Sequence, residues 1–319
     1  MAKRRSSDDP TSRGDRPPTG GPGRGRAALA HLAGAGVAAV VANRALAELP
    51  HGVPGGAQRW ARTNHRGEPV TLLEGPAAVA GLVAGVLAAA PLRGSLAGAS
   101  PALVAAAGSG LAGAVDDLSG ATDTKGLGGH LRALSTGEVT TGAMKIAAIG
   151  AAGLAASALA NSNRPPDVRV GAGGVLADGA FVAATANLVN LFDLRPGRAL
   201  KVAILGALGT TLGCRPSARG ADPSVGAEAA AVLGVAVGLM PEDLAEHAML
   251  GDTGANAIGA VLATGALSRW APRTRMMGLA AVVAATLASE RVSFTDVIAG
   301  TPGLAQLDQL GRRAAEDNP

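Results

Sequence analysis

The sequence predicts an all-α, polytopic integral membrane bundle of about nine transmembrane helices with cytoplasmic active-site loops, and three observations point to it. First, apolar residues make up 48% of the 319 while aromatics make up 2%, with no Tyr and 47 Gly. Such a composition fills a soluble core poorly, yet it suits helices packed in lipid, where small residues let backbones approach. Second, the runs 79–90 and 225–240 carry almost no polar face, which a helix on the surface of a soluble bundle would need. Third, the polar clusters recur at intervals of two apolar runs.

Taken in order, residues 1–26 read as a disordered basic tail, with seven Lys or Arg against three Asp among Pro, Gly and Ser. It is expected to be solvated, and no nucleic acid is expected as a partner. The run 27–42 has no small-residue cleavage site and reads as a first span rather than a signal peptide. Further spans are expected at 76–92, 99–115, 139–160, 179–191, 199–214, 225–240, 253–267 and 276–289. The fifth is started near Gly179 because Asp178 would otherwise lie mid-membrane, where a charge is costly. Residues 170–177 are accordingly expected to form an external turn or re-entrant piece. Residues 27–290 thus form the membrane domain, and 291–319 a cytoplasmic amphipathic segment. The single Cys214 excludes an internal disulfide.

Alternation of spans places the polar residues. Asp116 and Asp117 end the third span, Asn187, Asn190 and Asp193 follow two spans later, and Asp252 follows two spans after those. Even numbers of crossings put all three clusters on one face. Loops on that face carry thirteen Lys or Arg against eight opposite, which makes it cytoplasmic by the positive-inside rule. The basic N-terminal tail, placed outside by an odd span count, runs against that assignment.

Each cluster has a chemical and a plain reading. Asp116 and Asp117 are neighbours whose side chains diverge by about 100° on a helix, so one can meet a metal and the other an acceptor; alone, such a pair is more often solvated. The segment 123–130 adds Lys125 and glycine-rich backbone able to approach phosphates. Asn187, Asn190 and Asp193 recur every three residues as a slanting polar stripe, fit either for a ligand or for bonds between helices. Asp252 is flanked by Gly251 and Gly254, which permit close approach of a bulky anion.

In this order, Asp116-Asp117, Lys125-Gly126-Leu127, Asn187-x-x-Asn190-x-x-Asp193 and Gly251-Asp252-x-Gly254 resemble the polyprenyl-phosphate N-acetylhexosamine-1-phosphate transferase superfamily, which includes phospho-MurNAc-pentapeptide translocase. The resemblance spans roughly residues 60 to 265. It implies a plasma-membrane enzyme of cell-envelope synthesis with a UDP-sugar donor, a polyprenyl phosphate acceptor, Mg²⁺ or Mn²⁺, and UMP as leaving group; it also allows a homodimer. It further implies Asp252 and Asp116 as metal ligands, Asp116 and Asp117 as the catalytic pair that activates the acceptor, and Lys125, Asn187, Asn190 and Asp193 as the nucleotide-sugar site.

Departures from the pattern matter to activity and donor choice. Pro196 stands where a second carboxylate is expected, Ala255 replaces the usual Ser, a late His-rich motif is missing, and nine spans are counted where many members have ten. The missing His-rich segment points to a simple UDP-HexNAc donor. Two alternatives follow: a degenerate member that binds lipid or nucleotide sugar as a scaffold, and a small transporter, which intramembrane carboxylates also mark. The transporter is disfavoured by clustering at one interface and by the lack of an evident inverted repeat.

Overall fold

Small residues decide how the helices meet. The computed structural model describes residues 23–93, 96–119, 140–212 and 226–314. Helix α1 (Gly23–Gly52) lies along α2 (Glu74–Ala89) and α7 (Ala227–Leu244). At the first contact Gly81 and Gly85 press on α1 backbone, and at the second Gly234 and Gly238 press on Ala35 and Ala39; a Cβ at any of the four would collide. The other long helices are α3 (Ser100–Ser119), α4 (Thr141–Ser162), α5 (Ala172–Phe192), α6 (Arg198–Leu212), α8 (Gly251–Arg269) and α9 (Pro272–Ser289). Local signals start several of them: the Thr140 hydroxyl accepts from Ala143 N at 3.1 Å ahead of α4, and Pro272 opens α9.

These nine helices fall on the nine apolar runs of the sequence. Four of them (α1, α3, α4 and α5) are long and apolar enough to cross a membrane, and α9 adds a fifth if it counts with the short α10 (Phe294–Gly300), which follows after a 94° bend. Helix α2 is apolar but short, with 16 residues. Helix α8 has a different reason for its polarity. It is the axis of the bundle, touching α2 to α7, and 16 of its 19 residues are buried. Enclosed by protein, it can carry Asp252, Asn256 and Thr264 without exposing them to lipid.

Helix directions alternate. Hydrogen bonds join the C-terminal ends of α3, α5 and α7 to the N-terminal ends of α4, α6 and α8, and the chain entering α2 bonds to residues just before α8. At this end a short hairpin, β1 (Ala61–Thr63) antiparallel to β2 (Pro69–Thr71), connects α1 to α2 and pairs through Thr71 with His247 and Met249. This hairpin is a small β element in what is otherwise a mainly helical structure among the described residues.

Two expectations need correction. Helix α1 begins at Gly23, inside the stretch assigned to the tail. Helix α5 begins at Ala172 rather than near Gly179, so 170–177 is largely helix and Asp178 lies within it. The physical reason is charge pairing: Arg275 of α9 bonds Asp178 directly, and Arg164 stands 3.7 Å away. Asp178 is 6% exposed and Arg275 4%, so neither charge is left to itself.

Arg275→Met is therefore expected to destabilise the bundle by up to about 3 kcal/mol, because it leaves the buried Asp178 carboxylate with only the more distant Arg164 as a partner. The double variant Asp178→Leu/Arg275→Met should recover most of that loss. Denaturation of the purified protein in mixed micelles measures both, and a single variant as stable as wild type would contradict the pairing.

Candidate functional site

The site grows from the first turn of α8, whose backbone N–H groups have no partner within the helix. Two other helices supply partners. Gly251 N donates to Asp193 Oδ2 at 2.8 Å; Asp252 N donates to Asp117 Oδ1 at 3.1 Å; Thr253 donates from N and Oγ1 to Asp117 Oδ2 at 2.9 and 2.6 Å. Carboxylates at a helix N-terminus are also favoured by its dipole. Geometry demands glycine twice here. Gly251 has φ +58° and a Cβ on it would sit 3.0 Å from Asp117 Oδ2, while a Cβ on Gly113 would run into the Asp252 backbone.

With Asp117 turned toward α8, its neighbour Asp116 meets a different group. Lys145, near the start of α4, donates to Asp116 Oδ2 at 2.9 Å and also bonds Asp252. The ammonium thus holds two carboxylates from α3 and α8 to one point. The Arg62 guanidinium reaches the Asp117 backbone carbonyl from the hairpin. The structure therefore brings Asp116, Asp117, Asp193 and Asp252 together. Asn187 and Asn190 lie on α5 leading to Asp193, half-buried, and their side chains form no hydrogen bond among the described residues. Lys125 and the rest of 123–130 lie outside the described residues.

A pocket adjoins this cluster but does not contain its centre. Asn64, His65, Asp193, Arg195, Pro196, Asp243 and Glu246 are among its walls, whereas Asp116, Asp117 and Asp252 are not. Asp193 joins the two, since the oxygen that binds Gly251 belongs to a residue lining the pocket. Glu246, at φ +61°, is fixed by Asn64 Nδ2 at 2.8 Å and Arg66 Nε at 2.9 Å. Asp243 accepts from Gly197 N through Oδ1 at 2.9 Å, while its buried Oδ2 and both buried oxygens of Glu74 have no partner among the described residues. Burial, followed by the charge of Arg195, lowers the pKa of His65. The imidazole is therefore neutral near pH 7, and its 3.6 Å approach to Glu246 is a dipole contact, leaving Arg66 to balance the carboxylate.

Sequence reasoning missed Lys145, Glu74, Asp243 and Glu246. Lys145 offered the clearest signal, as a lone cation in the first turns of an apolar helix. Its partners lie 29 and 107 positions away.

No protein-family model matches the chain, and no curated protein does. The likeness to the transferase superfamily thus rests on the four motifs.

The residues can be tested against the metal that the resemblance implies. Asp116 and Asp252 offer hard oxygen donors to one cationic point, and Mg²⁺ is commonly held by one or two carboxylates with waters and substrate phosphates. Among the described residues no three His, Cys, Asp or Glu are grouped to hold a metal ion. The donor set fits a cation that arrives with a phosphate, rather than one caged by protein alone.

Lys145→Met leaves two carboxylates facing each other and is expected to cost between about 1 and 3 kcal/mol, the interval between exposed and buried pairs. Millimolar Mg²⁺ should restore more thermal stability to this variant than to wild type. An identical response of the two proteins would show that the carboxylates do not share a cation position.

Proposed function

We propose that this protein is a membrane transferase that moves a sugar 1-phosphate, a HexNAc 1-phosphate by preference, from a UDP-sugar to polyprenyl phosphate. In the reaction an oxygen of the acceptor phosphate attacks the phosphorus next to the sugar. The bond from that phosphorus to UMP breaks, and UMP leaves with the electron pair. In this reading all nine long helices cross the plasma membrane and the hairpin end faces the cytoplasm, where nucleotide sugars are found.

The observation that carries the reading is the meeting of motifs far apart in sequence at one end of the bundle, with a cation between two of their carboxylates. Such a chemistry must bring two phosphates together, so it needs positive charge held at a fixed point. Lys145 supplies one such charge. A divalent cation held by Asp116 and Asp252 would add a second, offsetting repulsion between the phosphates and the charge on departing UMP. Asp117 acts here as a positioning residue, since both of its oxygens are engaged in capping α8, and Asp116 is the carboxylate left to face the acceptor. Asn187 and Asn190, whose amides have no partner among the described residues, and Asp193 and Lys125 serve the donor.

A second reading, a polyprenyl-phosphate or nucleotide-sugar binder without turnover, draws on the pocket wall. Pro196 stands there in place of a carboxylate, and its carbonyl is engaged by Arg312 at 2.9 Å. Ala255 is fully buried, with no room for solvent at the position of the usual Ser.

Purified protein incubated with Mg²⁺, polyprenyl phosphate and a panel of UDP-sugars should release UMP. Asp252→Asn should abolish release, as should chelation of divalent metal, with the variant still folded and inserted. Saturable UDP-sugar binding without UMP would select the second reading. Full turnover by Asp252→Asn would contradict the proposed roles.

A further inference from the structure

After α9 the chain bends by 94° into α10 and continues as α11 (Pro302–Gln309), returning to the hairpin end of the bundle. The root of this segment is fixed by contacts with the bundle. Phe294 stacks on Phe192 at 5.0 Å, and Thr295 Oγ1 accepts from Arg198 Nη1 at 2.9 Å.

Its tip is fixed by charge. Asp308 receives a two-pronged bond from Arg198, at 2.8 and 3.0 Å, and a bond from Arg312 at 2.6 Å, while Lys201 Nζ donates to its carbonyl at 2.7 Å. Burial alone would raise the Asp308 pKa, but the bonds from Arg198 and the neighbouring positive charges outweigh it and hold the carboxyl below its usual range. Beyond Asp308 the chain bonds both to the 193–197 turn and to the hairpin, two elements that line the pocket. Arg312 donates to the Pro196 carbonyl on one wall, and Arg313 pairs with Glu68 of the hairpin at 2.8 Å on the other, where Arg66 also donates to the carbonyls of Arg313 and Ala314. No residue of α10 or α11 is buried, and Val297, Leu304 and Leu310 are exposed. Apolar burial therefore contributes little to holding the tip.

We propose that residues 294–314 form a releasable strap, hinged at Phe294, that closes the mouth of the pocket between the 193–197 turn and the hairpin. The latch consists of ionic and polar contacts of two kinds: the Arg313–Glu68 pair is 38% exposed on each side and is screened by salt, whereas Arg198–Asp308, at 4% and 11%, is screened much less. A segment held in this way opens at lower free energy than the packed helices beneath it. Opening admits a ligand to Asp193 and Asp243, and closing covers it. The inference concerns access to the pocket and does not depend on which reaction, if any, follows the binding of a ligand there.

The test needs no substrate. In a Cys214→Ala background, Met249→Cys places a thiol in the pocket wall, and its rate of labelling by a bulky maleimide reports access. The latch is weakened by Asp308→Asn/Arg313→Ala, or in the unaltered latch by raising NaCl from about 0.1 to about 1 M, where the screening length falls to about 3 Å. The double variant should speed labelling by about tenfold, a factor equivalent to about 1.4 kcal/mol of lost docking, and salt by a smaller factor, because it acts mainly on the exposed Arg313–Glu68 pair. Hydrogen exchange of 301–314 should rise in parallel while α8 stays protected. Unchanged exchange would show that charge does not hold the tip, and faster exchange with unchanged labelling would show that the segment does not close the pocket. Either result overturns the proposal.

Discussion

The N-terminus of α8 lies inside the bundle, so its backbone donors have little access to water. Buried N–H groups without partners are costly, and two carboxylates from other helices meet that need: Asp193 at Gly251, and Asp117 at Asp252 and Thr253. Much else at this end follows. Asp117 draws the end of α3 onto α8, which is why Gly113 must lack a side chain. Asp193 ends α5 at the same place. Asp252 is then held at a fixed distance from Asp116, and Lys145 from α4 bonds both.

The resulting end face divides into two unlike halves. Around Lys145 one ammonium faces two carboxylates, so the point where they meet keeps an excess of negative charge that a further cation would offset. In the adjoining pocket the walls carry the buried carboxylates Asp193, Asp243 and Glu246, tied to backbone donors or the hairpin, with the Asp243 Oδ2 uncommitted among the described residues. Under the proposed function, a ligand bringing hydrogen-bond donors on one side and cation-bound phosphates on the other would match both halves. A nucleotide sugar has that character.

Sequence periodicity foretold where the helices run, because apolar stretches of this composition leave few other folds. Parity of the stretches was enough to bring Asp117, Asp193 and Asp252 to one end without knowledge of any contact. What it left out are the pairings between distant residues. Asp178 looks unaffordable mid-helix until Arg275, 97 positions away, is seen beside it. Lys145 reads as a charge at the mouth of a span until α3 and α8 meet over it. The C-terminal segment carries no feature that says its Asp308 will dock on Arg198, 110 positions earlier. Helix α8 was legible as an apolar run but not as the axis of the bundle, since burial by protein and burial by lipid demand similar residues.

The capping of α8 by two separate helices is the central structural claim, and a double-mutant cycle tests it most directly. Asp117→Ala, Asp193→Ala and the double variant would be compared by reversible unfolding in micelles. If both carboxylates secure the same turn, losing one lets the turn relax and lowers the value of the other. The expected coupling is about 1 kcal/mol, within the span seen for residues sharing one network. Additivity within about 0.3 kcal/mol, the behaviour of independent sites, would contradict the account.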